Sequence, residues 1–159
     1  MQRIISALVF IILGLIVLTF PLLGVIPLSV ITGVSVLFLG IGLLITGISV
    51  IGKNSIMSIV DVILGILALI LGIGFIFNPA LFSFVAALFV FIAGIFLVIA
   101  GIFDFINKAG GTIWLGVINI VLGVIYLIVA IFLANPLFLG ILIGLWLLIV
   151  GIIMLFQKD

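Results

Sequence analysis

The sequence predicts an all-α integral membrane protein: six transmembrane helices, arranged as three tandem hairpin repeats in a single membrane domain over residues 1–159. Three observations carry that reading. The chain is 70% hydrophobic and 4% charged, with a mean hydropathy of +2.04, whereas an ordinary soluble domain is about 45–50% apolar and about 25% charged. Four Lys/Arg and three Asp/Glu cannot cover a water-facing surface, so the exterior must face lipid. The apolar residues fall into six runs near the ~20 residues that a spanning helix needs. Each run is apolar all round, not alternating, which favours helices over the strands of a membrane barrel.

The first run covers residues 4–23 and follows Met1, Gln2 and Arg3. It exceeds the ~7–15 residues of a signal-peptide apolar region, and no small-x-small cleavage pattern follows, so it reads as a retained helix. A turn at residues 24–27 leads to the second helix, 28–51, closed by Gly52, Lys53, Asn54 and Ser55. The third helix covers 56–77 and the fourth 80–106, with Asn78-Pro79 between them. Residues 107–111 form the most loop-like segment. The fifth helix covers 112–134 and the sixth 137–156, with Asn135-Pro136 between them.

Proline has no N–H and a fixed φ, so it suits the first turn of a helix. An asparagine before it can cap exposed N–H groups. Asn78-Pro79 and Asn135-Pro136 therefore read as two-residue hairpin turns, and Pro27 fills the same place without an asparagine. Pro27, Pro79 and Pro136 follow Gly14, Gly65 and Gly123 by 13, 14 and 13 residues. The repeat units are about 4–53, 56–108 and 112–158, a period typical of repeat architectures. Each unit crosses twice, so all three share one orientation, unlike inverted transporter repeats.

Small residues recur every seven positions along the helices. They are Ala7 and Gly14; Gly33, Gly40 and Gly47; Ser58, Gly65 and Gly72; Ala80, Ala87, Gly94 and Gly101; Gly116, Gly123 and Ala130; and Gly144 and Gly151. A seven-residue period keeps one face along a left-handed helix seam. In lipid, close backbone approach along such a face draws helices together. Gly140 and Gly144 form a further small-xxx-small pair that would equally serve a dimer contact.

Arg3, Lys53, Lys108 and Lys158 all fall on one side of a six-span topology. Positive loops favour the cytoplasm, so both termini are expected there, in the plasma (inner) membrane.

Asp61 is the most distinctive residue, because an ionisable group inside a span marks a functional site by default. It lies four residues before Gly65, and Asn119 lies four before Gly123. With Tyr126, on the same face as Asn119 and Gly123, these residues make the candidate intramembrane polar centre. The competing reading makes Asp61 an interfacial carboxylate at a helix N-terminus. Asp104 stands four residues before Lys108, a spacing that suits an i,i+4 ion pair. Trp114 fits an interfacial aromatic belt.

Cysteine and histidine are absent. That removes thiol chemistry, thiolate metal sites and the commonest general base. No paired carboxylates, activated nucleophile or phosphate loop stands out, so no catalytic residue, cofactor or metal is expected and the chain does not read as an enzyme. No basic patch suggests nucleic acid. The expected partner is the lipid bilayer; a homo-oligomer or a membrane-protein partner stays open.

The Leu13-Gly14, Leu64-Gly65 and Leu122-Gly123 pairs, prolines 21 or 27, 79 and 136, and the Gly-Ile pairs at Gly47, Gly101 and Gly151 run through nearly the whole chain. In these features the sequence resembles the HdeD family of acid-resistance membrane proteins. The resemblance implies a six-span inner-membrane protein with a role in acid or other stress tolerance. The alternatives are a small-solute transporter and a structural membrane protein that assembles with itself or a partner. A cavity lined by Asp61, Asn119 and Tyr126 would favour transport.

Overall fold

The computed structural model describes residues 2–52, 55–107 and 113–157. Six helices account for nearly all of them: α1 (Gln2–Thr19), α2 (Leu22–Ser49), α3 (Ser55–Phe77), α4 (Pro79–Asn107), α5 (Ile113–Leu133) and α6 (Pro136–Phe156). Five of these, α2 to α6, are long and apolar enough to cross a membrane. The apolar part of α1, Ile4–Thr19, is shorter. At 1.5 Å per residue it reaches about 24 Å, against a hydrocarbon core of about 30 Å. Several such helices make this a multi-pass membrane protein.

The first turn departs from the sequence expectation. Helix α1 stops at Thr19, Phe20 and Pro21 make the turn, and α2 begins at Leu22. Pro27 is therefore not a turn residue; it lies inside α2. The N–H of Phe20 still donates to Ile16 O at 2.9 Å, but Pro21 has no N–H with which to continue the ladder. The break falls at the first proline, and the spacing from Gly14 had pointed to the second.

The later turns are capped by side chains. Asn78 Oδ1 accepts from the N–H groups of Ala80 (3.1 Å) and Leu81 (3.2 Å) at the start of α4. Asn135 Oδ1 accepts from Leu137 N at 3.0 Å, with Pro136 opening α6. Beyond α2, Gly52 takes φ +92°, a left-handed conformation that glycine adopts without steric cost.

Two compact units divide the chain. In the unit Leu23–Phe82, α2 runs antiparallel to α3 with their backbones in near contact. A Cβ at Gly33 would stand 2.8 Å from Gly72 O, and one at Gly40 would stand 3.0 Å from Gly65 O. At the far end Ser58 Oγ donates to Gly47 O at 2.7 Å. Near the α3–α4 turn, Phe75 and Phe82 meet edge to face with centroids 5.5 Å apart.

The second unit, Met1–Leu22 with Ser83–Asp159, contains two such seams. Helices α4 and α5 approach at Gly94 and Gly123 and again at Gly101 and Gly116; a Cβ at Gly101 would lie 2.8 Å from Gly116 O. Helices α6 and α1 approach at Gly144 and Gly14 and at Gly151 and Ala7, with would-be Cβ to carbonyl separations of 3.0 Å from Gly14 and from Gly151. Farther along, Gly140 lies directly against the Pro21 carbonyl. Helix α6 packs far more extensively on α1 than on α5, its sequence neighbour. The Gly140–Gly144 face is thus taken up inside the chain. The seams join α2 to α3, α4 to α5 and α6 to α1, where the sequence reading paired helices within hairpins.

Many of the buried residues are small. Ala7, Ala68, Ala87 and Ala130 are buried, whereas Phe38, Phe89 and Trp146 are exposed to about 70%. Large apolar groups on the outside and small ones within is the pattern of helices packed in lipid, where van der Waals fit and not water exclusion holds them together.

Candidate functional site

The α4/α5 seam carries a hydrogen bond between side chains of two helices. Asn119 Nδ2 donates to Asp104 Oδ2 at 3.1 Å, and the pair is part-buried. Backbone geometry explains why they meet. Gly101 on α4 lies opposite Gly116 on α5, and each polar residue stands three positions after its glycine. Helical side chains lean toward their own N-terminus. On antiparallel helices that tilt brings Asp104 and Asn119 toward the same level from opposite directions. The sequence reading had coupled Asp104 to Lys108, which lies outside the described residues.

Asp61 occupies the matching place in the α2/α3 seam. It stands three residues after Ser58, opposite Gly47; a Cβ on Gly47 would sit 3.1 Å from the Cβ of Asp61. The residue corresponding to Asp104 is Val50, three after Gly47, and valine has no atom to offer a carboxylate. Asp61 is half-buried and makes no hydrogen bond with a described residue. Its nearest polar neighbour along the helix, Ser58, spends its hydroxyl proton on the Gly47 carbonyl.

Tyr126 stands apart from the Asp104–Asn119 contact. It lies two turns beyond Asn119 and is 42% exposed. Asn119 is thus brought to Asp104 and not to the tyrosine. The signal missed in the sequence is the antiparallel register: once Gly101 is set against Gly116, residues 104 and 119 fall together.

Two open grooves accompany the seams. One, of about 160 Å³, is walled by Phe84, Ala87, Leu88 and Phe91 of α4, by Ala130 and Ile131 of α5, and by Ala134 just beyond it. The other, of about 320 Å³, lies at the α2–α3 end against Ile51, Gly52, Ser55, Ser58, Ile59 and Ile63. Neither includes Asp61, Asn119 or Tyr126. Among the described residues no group of three or more carboxylates, histidines or cysteines is placed to hold a metal ion.

The model of one protein family, the short repeat of unknown function DUF308, matches this sequence twice, over residues 5–77 and 63–135. The first copy contains the whole α2/α3 seam and the second the α4/α5 seam, and the two overlap within α3. Comparison with curated proteins gave no match, and neither did comparison with solved structures. The two copies together span most of the sequence, and the chain belongs to the DUF308 family of short-repeat proteins.

Proposed function

We propose that the chain acts in the plasma membrane as a six-span protein built from three two-helix repeats, with both termini cytoplasmic, and that it contributes to acid or other stress tolerance without catalysing a reaction. The stress role rests on the resemblance to the HdeD family. The orientation rests on the positions of Arg3, Lys53, Lys108 and Lys158, by the preference of positive loops for the cytoplasm. The observation that carries a protonation-linked form of the proposal is the carboxylate of Asp104 held by Asn119 between two apolar helices. Ionisable groups within a span are costly and mark functional sites by default. Asp61, half-buried in the other unit, is the second carboxylate of this kind.

Survival after acid challenge tests the proposal in matched cells with the gene, without it, and with Asp61→Asn or Asp104→Asn at equal membrane abundance. Loss of survival on deletion, reproduced by either substitution, supports a protonation-linked role and identifies the carboxylate. Unchanged survival on deletion removes the stress role. A reporter fused to the C-terminus tests the orientation separately; a signal from outside the cytoplasm refutes it.

A further inference from the structure

We draw no further inference here: the strongest candidate, the open groove of about 320 Å³ at the α2–α3 end lined by Ser55, Ser58 and Ile59, gathers at the first turns of α3, and no second observation in the structure points to a ligand there.

Discussion

Gly101→Ala is the sharpest perturbation of the α4/α5 seam. A methyl group there would meet Gly116 O and Ile120 N, both at 2.8 Å, and Ile120 Cγ1 at 2.7 Å. Two of these atoms belong to the backbone of α5, so no side-chain rotation relieves the clash, and the helices must move apart along the seam. Overpacking of this kind costs about 1–3 kcal/mol. Alanine recovers about 1 kcal/mol of helix propensity over glycine, which leaves a net loss of about 0–2 kcal/mol on these two terms. Gly42 is the matched control, because nothing lies within 4 Å of a Cβ built on it; Gly42→Ala keeps the propensity gain and meets no clash. Gly94→Ala falls between them, since its nearest atoms stand at 3.1 Å and two belong to the Leu127 side chain. Reversible unfolding of the purified protein in mixed micelles measures all three. The expected order of stability is Gly42→Ala, then Gly94→Ala, then Gly101→Ala. A Gly101→Ala protein as stable as the Gly42→Ala protein would refute the backbone-contact account of the seam.

Three further outcomes are expected. Asn119→Leu removes the donor to Asp104 and lowers stability by about 0.5–1.5 kcal/mol, in the range of interhelical hydrogen bonds measured in membranes; a double-mutant cycle with Asp104→Leu should return a favourable coupling, and zero coupling contradicts the bond. Pro27→Ala gives α2 back a ladder N–H and raises the unfolding midpoint, since an interior proline costs a helix up to about 3 kcal/mol relative to alanine; a lowered midpoint would mean that Pro27 serves a turn after all. Asn135→Ala removes the side-chain cap on Leu137 N and destabilises the α5–α6 turn by about 0.5–2 kcal/mol, read as earlier proteolysis there on warming.

Much of the architecture is written in composition and period. Runs of about 20 apolar residues can do little in water but aggregate, so the helices α2 to α6 follow directly from hydropathy. The seven-residue recurrence of glycine marks a close-packing face on each helix, and those glycines do lie in seams. The period does not say which two faces meet. Gly14 has no sequence feature that points to Gly144 rather than to Gly40; the choice is tertiary, made where α6 lies along α1. The two prolines of the first turn show a similar limit. Either Pro21 or Pro27 can end a helix, and spacing borrowed from the other repeats selects Pro27, while the backbone turns at Pro21. Asp61 and Asn119 were legible as residues at matching positions, because both precede a seam glycine by four. The partner of Asn119 was not, since Asp104 comes from the neighbouring helix and its nearest opposite charge in sequence is Lys108, four residues on.

The pairing of α6 with α1 is the central structural claim, and site-directed crosslinking tests it most directly. The chain has no cysteine, so two introduced thiols give an unambiguous signal. Gly14 lies against Leu148, and Gly151 lies against Ile11. Ile11→Cys and Leu148→Cys therefore sit on facing sides of one seam, and neither replaces a tightly packed glycine. In native membranes, a short bifunctional thiol reagent should join the two within one chain, at low expression and in competition with a cysteine-free copy. It should leave each single variant unjoined. Efficient intramolecular crosslinking is the result expected if α6 packs along α1. Failure to crosslink, with both thiols shown to be accessible by labelling in detergent, would contradict the pairing on which this account rests.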